Sequence, residues 1–261
     1  MASILKRNKL QVWRDVIFAL FIREIRTGFN DKFGISWAII NPLSFIFALS
    51  YIRGLIEGGE THGMPTFVFM VHGMVLVQLF LTLMESTSTS LNKNKSLFAF
   101  RQVQPISAYL ATALFEILVK LFVVFVLIVL MYFLNIDIRG DNLLILISCF
   151  FLLAVIACSV GIVFSMIQGF IPEFGRIRTV FTRPLFFISA VFFSLQDFGP
   201  EVWPYLNWNP ILQAIELSRQ AAYSNYGAVA VSFKYLCAMA VLSVFVALSV
   251  YTISWKQVIS R

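Results

Sequence analysis

The sequence predicts an all-α membrane protein with six transmembrane helices. Of its 261 residues, 59% are apolar and only 13% are charged, whereas a soluble protein averages about 45–50% apolar and about 25% charged. The mean hydropathy is +0.85, and several apolar runs exceed the roughly 18 residues that indicate a membrane helix. We expect one membrane domain over residues 33–255, preceded by a cytoplasmic segment at 1–32 and followed by a cytoplasmic tail at 256–261.

The first expected element is an amphipathic helix over residues 10–30 that lies at the membrane surface. At 100° per residue, five polar residues share one face, on which Val12 and Ile22 intrude: Gln11, Asp15, Arg23, Arg26 and Asn30. Apolar residues that include Trp13, Ile17 and Phe21 occupy the opposite side. A tryptophan and several arginines suit a helix that lies in the interface better than one that spans the bilayer.

Six apolar stretches are the candidate spans, at about residues 33–52, 66–84, 108–134, 142–170, 180–195 and 231–254. The third span contains Glu116 and Lys120, four residues apart with the acid first, which is the favourable order for a helical ion pair. Charged groups inside a membrane should face protein or water rather than lipid. This pair is therefore either a structural clip or part of the wall of a transport path.

Residues 196–231 are too polar to cross a membrane and too aromatic for an ordinary solvent loop. Three prolines divide the segment, which predicts two short re-entrant helices at the outer face before the last span. The second, over residues 211–223, is expected to be amphipathic, with Glu216 and Arg219 on its polar side. The candidate path or gate residues are Trp203, Tyr205, Trp208, Glu216 and Arg219, together with Glu116 and Lys120. The alternative is that these aromatics form an ordinary interfacial belt.

The distribution of positive charge sets the expected orientation. Of the 20 Lys and Arg residues, seven lie in residues 1–35, three in 86–105, three in 171–183 and two in 254–261. Because these segments all fall on one side of a six-span arrangement, we expect both termini to be cytoplasmic. The same distribution accounts for the net charge of +7, so it does not indicate a nucleic-acid partner.

The polar stretch at residues 91–105 interrupts two long apolar runs and contains three bases and no acid. We expect a short helix with a basic rim and an aromatic face, which fits a membrane surface or a groove in a partner protein. Its candidate contact residues are Lys93, Lys95, Leu97, Phe98, Phe100, Arg101 and Pro105. The alternative is a solvated loop that only satisfies the positive-inside rule.

The sequence contains no GxxxxGK[ST], HExxH or GxSxG motif, and its two histidines cannot build a metal cluster. We therefore expect no catalytic residue, no metal site and no cofactor bound by this chain. Directed transport would then need an ion gradient or a partner motor. Ion-coupled carriers usually show internal repeats and several buried acids, and neither is evident, so a partner motor is the better interpretation.

Four collinear runs resemble type-2 ABC exporter permeases. They are FIREIRTGFNDKFGISWAIINP (21–42), FAFRQVQP (98–105), IPEFGRIRTVFTRPLFFIS (171–189) and WNPILQAIELSR (208–219), and the last two are similar to the KpsM branch, which exports capsular polysaccharide through the bacterial inner membrane. The resemblance implies the six-span ABC-2 fold. It also implies that Arg23 and Arg26 join residues 91–105 in contacting an ATPase.

The partners implied by this resemblance are a second copy of the chain and two copies of a KpsT-like ATPase, which would bind ATP and Mg. A lipid-linked polysaccharide would be the substrate, and periplasmic KpsE-like and outer-membrane proteins would continue the route. Two alternatives stay open. One is an ABC-2 exporter of another substrate, such as O-antigen, teichoic acid, a drug or a lipid, and the other is a passive channel or structural subunit.

Overall fold

A computed structural model describes residues 8–30, 34–100 and 102–260, and this part of the chain is almost entirely helical. The helices are α1 (Lys9–Asn30), α2 (Gly34–Glu57), α3 (Thr66–Lys93), α4 (Pro105–Phe133), α5 (Leu143–Phe170), α6 (Phe174–Ile188), α7 (Trp203–Leu206), α8 (Pro210–Ala222) and α9 (Phe233–Ser260). Two short antiparallel strands, β1 (Glu60–Thr61) and β2 (Met64–Pro65), form a hairpin between α2 and α3. The predicted all-α class is confirmed.

Four of the described helices are long and apolar enough to cross a membrane: α3, α4, α5 and α9. The described apolar part of α2 is shorter, Ile40–Ile56. Helix α6 has 15 residues, or about 22 Å at 1.5 Å per residue, which is less than the roughly 30 Å hydrocarbon core. The six-span arrangement is compatible with these helices and stays a prediction.

Helix α3 is the centre of the bundle and packs against α2, α4, α5 and α8. Its contact with α5 is close at Gly161, where an added Cβ would lie 2.7 Å from Thr87 Cβ and 2.8 Å from the Met84 carbonyl oxygen. Small residues permit such close approach between membrane helices. The other face of α5 packs against α9, so α3, α5 and α9 form a layered core.

At the end of the bundle that is predicted to face the cytoplasm, called the inner side from here on, two helices extend beyond their predicted spans. Helix α3 continues from the predicted end at residue 84 to Lys93, and α9 continues through the predicted tail to Ser260. At about 42 Å, α3 is longer than the hydrocarbon core, so its last turns extend beyond it. Buried hydroxyl groups on these turns, Ser88, Ser90 and Thr87, keep them packed inside the protein.

The predicted inner loop at 172–183 and fifth span at 180–195 need correction, because α6 occupies Phe174–Ile188. Arg178 is not a solvated loop residue: it is buried and bonds to Glu85 and Ser88 of α3. The helix ends early because Ala190 adopts a left-handed conformation with φ 59°. The buried residues that follow are irregular, and such backbone survives at membrane depth only where protein covers it.

At the opposite end of the bundle, called the outer side from here on, the loop between α4 and α5 is fastened to the end of α8. The Asn142 backbone N–H donates to the Ala221 carbonyl (2.8 Å), and the Ser224 N–H donates to Asp141 Oδ2 (2.8 Å). Hydrogen bonds from Ser224 lower the pKa of Asp141. The Tyr223 hydroxyl also donates to the Asp137 carbonyl. These contacts fix α8 against the outer ends of α4 and α5.

Candidate functional site

A cleft with polar and aromatic walls opens between α2, α3, α4 and α6. One cavity of about 510 Å³ is lined by Asn41, Pro42, Phe45, Gln78, Thr82, Glu85, Ser86, Phe115, Glu116, Val119 and Lys120. A second, of about 540 Å³, shares Phe45, Gln78, Thr82 and Glu85 and adds Leu81, Thr182, Arg183, Phe186 and Phe187. Because the two share four wall residues, we treat them as one site and call it the polar cleft.

The third-span pair lies in this cleft but does not form the predicted ion pair. The Ser86 hydroxyl donates to Glu116 Oε1 (2.6 Å), so the carboxylate of Glu116 is bonded to α3. The side chain of Lys120 is only 3% exposed. In the described part of the chain, no hydrogen bond and no ion pair within 4.0 Å reaches the Lys120 ammonium group. A spacing of four residues permits a pair without requiring one.

An acid–base contact does form beside the cleft, between α6 and α3. Arg178 of α6 donates to the Glu85 carboxylate and to the Ser88 hydroxyl of α3. Sequence reasoning missed this pair, because Arg178 was assigned to a loop and Glu85 to the end of a span. In the same cleft, Oε1 of Gln78 is buried and has no hydrogen-bond partner within the described residues. The cleft therefore keeps an amide and an ammonium group available.

Glu216 and Arg219 lie elsewhere, in a fully buried network below the outer face. Arg219 donates to the carbonyls of Phe69 (3.1 Å), Val191 (3.2 Å) and Phe193 (3.2 Å), and to Glu216 Oε1 (2.9 Å). Its guanidinium carbon is also 3.4 Å from the centre of the Phe69 ring, a close cation–π contact. Arg219 thus ties α8 to α3 and to the irregular segment after α6.

The carboxylate of Glu216 completes this network. It accepts from the Ser194 hydroxyl at Oε2 (3.1 Å) and from the Tyr226 hydroxyl at Oε1 (2.9 Å), in addition to Arg219. The predicted polar face of this helix was therefore wrong, because both charged residues are 0% exposed. Helix α8 is a core helix, and the polar side chains on it face other protein groups rather than water.

The three outer aromatics have different environments. Trp203 is partly buried, and its indole N–H donates to the carbonyls of Leu195 (2.9 Å) and Phe198 (3.0 Å). Tyr205 is 77% exposed and Trp208 is 63% exposed, and the Trp208 indole bonds only within its own turn, to the Tyr205 carbonyl (2.7 Å). None of the three lines the polar cleft. The predicted path residues thus fall into separate regions.

At the inner side, residues 91–105 form the end of α3, a 3₁₀ turn at Lys95–Ala99 and the start of α4. Phe98 packs against the protein's own helices, near Leu20 of α1 and Ala108 of α4, whereas Phe100 is 65% exposed. Leu97 joins the same packing, Pro105 is buried at the first turn of α4, and Lys93 and Lys95 are exposed. The predicted Arg101 lies outside the described residues.

Helix α1 is held to this inner segment. Arg23 donates to the Asn94 side-chain oxygen, and the Asn94 amide donates back to the Ser90 carbonyl (2.8 Å). Arg26, one turn later, is exposed. The structure therefore brings α1 and residues 91–105 together as one inner surface, with Arg26, Lys93, Lys95 and Phe100 facing outward. Sequence reasoning missed Asn94, which no motif distinguishes from its neighbours.

A bundle of apolar helices with a polar cleft fits one class of protein, the membrane-embedded transport subunits. Within residues 8–30, 34–100 and 102–260, no three His, Cys, Asp or Glu side chains are placed to share a metal ion. Residues 15–223 match the model of the ABC-2 type transporter family, and the chain belongs to that family.

Two curated relatives cover nearly the whole chain. The polysialic acid transport protein KpsM of Escherichia coli is 30% identical over 246 residues, which are 94% of this chain and 95% of KpsM. The capsule polysaccharide export inner-membrane protein BexB of Haemophilus influenzae is 22% identical over 224 residues, 84% of this chain and 83% of BexB. The resemblance to the KpsM branch is confirmed, and the chain is a multi-pass membrane transport subunit.

Proposed function

We propose that this chain is the permease subunit of an ABC exporter that moves lipid-linked capsular polysaccharide across the bacterial inner membrane. The observation that carries the proposal is the similarity to KpsM along 94% of the chain, supported by the similarity to BexB. The names of both relatives refer to the export of capsular or polysialic polysaccharide. Both termini would lie in the cytoplasm, as the distribution of Lys and Arg indicates.

The polar cleft supports a saccharide as the transported group. Its walls combine Phe45 and Phe115 with the amides of Asn41 and Gln78 and the hydroxyl of Thr82. Aromatic faces pack against the apolar faces of sugar rings, and amides and hydroxyls exchange hydrogen bonds with sugar hydroxyls.

The motor would be a separate ATPase, which would bind ATP and Mg. Two copies of it would press on the inner surface built by α1 and residues 91–105, where Phe100 and the basic residues are exposed. The permease itself would be a homodimer with a two-fold axis, so that the two polar clefts border a shared canal. Tyr205 and Trp208 would lie at its outer mouth, and periplasmic KpsE-like and outer-membrane proteins would receive the polymer there.

Gene deletion and complementation test the substrate. In the source bacterium, deletion should abolish surface capsule while polymer accumulates inside, and the intact chain should restore export. Loss of O-antigen, teichoic acid or drug resistance instead of capsule would show that the exporter has another substrate. Export that continues without an ATPase that co-purifies with the chain would favour a passive channel.

Impermeant thiol labelling tests the topology. In a background without Cys149, Cys158 and Cys237, single cysteines at Thr61 and Ser224 should react in intact cells. A cysteine at Ser96, on the inner 3₁₀ turn, should react only after the membrane is opened. Labelling of Ser96 from outside would contradict the proposed orientation.

A further inference from the structure

We propose that the polar cleft binds a negatively charged oxygen group of the exported molecule through the ammonium group of Lys120. This inference rests on the proposed function and adds the charge of the transported group. Two sources supply such a group: acidic sugars of the polymer or the phosphate of its lipid end. Their shared chemistry is an anionic oxygen that can accept hydrogen bonds from an ammonium group.

Lys120 is buried in the cleft and is bonded to no other described group. Its side chain is buried at 3% exposure, lines the cleft and meets no partner within hydrogen-bond or ion-pair distance in the described part of the chain. Intramembrane ionisable residues are costly and normally pair with one another or with carbonyl groups. Glu116, one turn away on α4, attracts the Lys120 ammonium group only at longer range than an ion pair. The hydrogen-bonding positions of the ammonium group are therefore available to a ligand in the cleft.

The charges in and beside the cleft are unequal in number. Both carboxylates in its walls already accept hydrogen bonds, Glu116 from Ser86 and Glu85 from Arg178. Ser86 is neutral, so the charge of Glu116 still offsets one base, but the three bases Lys120, Arg178 and Arg183 outnumber the two acids. Arg183 is exposed, and no ion pair is formed by it among the described residues. The cleft and its rim thus have a net positive charge, which favours an anion over a cation.

The cavity around Lys120 offers both apolar and polar contacts. The same cavity carries the apolar rings of Phe45 and Phe115 beside the amide of Gln78, whose Oε1 is buried and unsatisfied. A ligand that fits must offer an anionic group next to a donor and an apolar face. A sugar acid or a phosphate linked to a sugar or glycerol has this combination, whereas a free inorganic ion lacks the apolar part.

The experiment measures binding to the full-length permease, purified in detergent together with its ATPase. The carbohydrate probes are a sialic acid hexamer and, as the neutral match, maltohexaose. The lipid probes are a fluorescent lysophosphatidic acid and the corresponding monoacylglycerol. We expect one anionic probe to bind at least tenfold more tightly than its neutral match, and the probe that does so identifies the source of the anionic group.

Three variants assign that preference to Lys120. Lys120→Met should weaken binding of the preferred anionic probe at least tenfold, Lys120→Arg should stay within about threefold of the unmodified protein, and Lys234→Met, which removes an exposed outer cation, should have no effect. Because no described group bonds to the Lys120 ammonium group, Lys120→Met should stay folded and melt well above Arg219→Met. Equal binding by Lys120→Met and unmodified protein, equal binding of charged and neutral probes, or a Lys120→Met protein that fails to fold would each overturn the proposal.

A cell assay separates this inference from the proposed function. If gene deletion abolishes capsule export but Lys120→Met exports normally, the role of Lys120 is wrong and the proposed function stands. If gene deletion leaves capsule export unchanged, the proposed function is wrong. Loss of export in both, with the Lys120→Met protein present at normal level in the membrane, is the result expected if both are correct.

Discussion

Glu216 with Arg219 in α8, and Glu116 with Lys120 in α4, are two acid–base pairs spaced about one helical turn apart. Glu216, Arg219 and Lys120 are buried, and Glu116 is partly buried. In the outer pair, the base bonds to its acid and to three backbone carbonyls, and the acid accepts from two further hydroxyls. In the inner pair, the acid bonds to another helix and the base bonds to nothing in the described chain. Similar spacing thus gives a closed network in one region and an open site in the other.

The two pairs differ because the backbone around them differs. Arg219 lies where the chain leaves α6 and exposes the carbonyls of Val191 and Phe193, and those groups must be satisfied inside the protein. Lys120 lies on an intact helix, whose carbonyls are already bonded, and it faces a cavity. A buried charge among irregular backbone is structural, while a buried charge facing a cavity is available to a ligand.

The largest expected effect is the loss of Arg219. Arg219→Met leaves Glu216 and three carbonyls without their donor, and removing one partner of a buried pair costs about 3–5 kcal/mol. We expect little folded protein in the membrane, measured by size-exclusion chromatography in mild detergent and by thermal unfolding.

The double variant Glu216→Gln with Arg219→Met provides the control, since it removes both charges and should recover part of the lost stability. By contrast, Lys120→Met should stay folded. If Arg219→Met and Lys120→Met prove equally stable, the distinction between the closed and the open pair is wrong.

The next effect concerns the close approach of α3 to this network. An added Cβ at Gly73 would lie 2.9 Å from Arg219 Nη2 and 3.0 Å from both Cα and O of Val191. Gly73→Ala should therefore push Arg219 from its carbonyls and destabilise the protein by about 1–3 kcal/mol, as overpacking does. Thermal unfolding measures this, with Gly54→Ala as the control because nothing lies within 4 Å of its Cβ position. Equal melting temperatures would contradict the packing argument.

The fold was predictable where the sequence contains a long apolar run. Hydropathy alone located α3, α4, α5 and α9, because each contains a long run that must be shielded from water. Boundaries at the inner side were missed because α3 and α9 continue as polar helices beyond their apolar runs. Helix α6 was misplaced because its basic residues suggested a loop, whereas Arg178 bonds to Glu85, which lies 93 positions earlier in the chain.

The candidate site was predictable only in part, since residue type does not reveal the partner. Glu116 and Lys120 were identified as unusual because charge is rare in a span. The Glu116 carboxylate bonds to α3 rather than to Lys120, and Glu216 and Arg219 are buried against α3 and residues 189–194. These contacts join distant parts of the chain, so the local sequence pattern does not predict them. Trp203 and Trp208 likewise look alike in sequence, and only the fold shows that Trp203 is partly buried and Trp208 is exposed.

The inner surface extends the comparison to two phenylalanines. Phe98 packs on its own helices, so Phe98→Ala should cost about 1–2 kcal/mol of stability, less than for a fully buried ring. Phe100 is exposed, so Phe100→Ala should leave stability unchanged and weaken ATPase binding by about 2 kcal/mol, as expected for an aromatic anchor. Co-purification and thermal unfolding measure the two effects. If Phe100→Ala retains the ATPase at normal affinity, Phe100 is not an anchor.

The smallest expected effect separates the two outer tryptophans. Trp203→Phe keeps the ring's apolar contacts but removes the N–H that lies 2.9 Å from the Leu195 carbonyl and 3.0 Å from the Phe198 carbonyl, so we expect a loss of about 1 kcal/mol in stability. Trp208→Phe removes one exposed bond within a single turn, to the Tyr205 carbonyl, and should cost less than about 0.5 kcal/mol.

Because Trp208 is 63% exposed, its substitution by Ala should lower export without lowering stability if it lines the outer mouth. Thermal unfolding and capsule export, measured on the same variants, distinguish the roles. Equal stability of the two Phe variants would show that the Trp203 bonds do not hold the outer segment, and normal export by Trp208→Ala would place the path away from this ring.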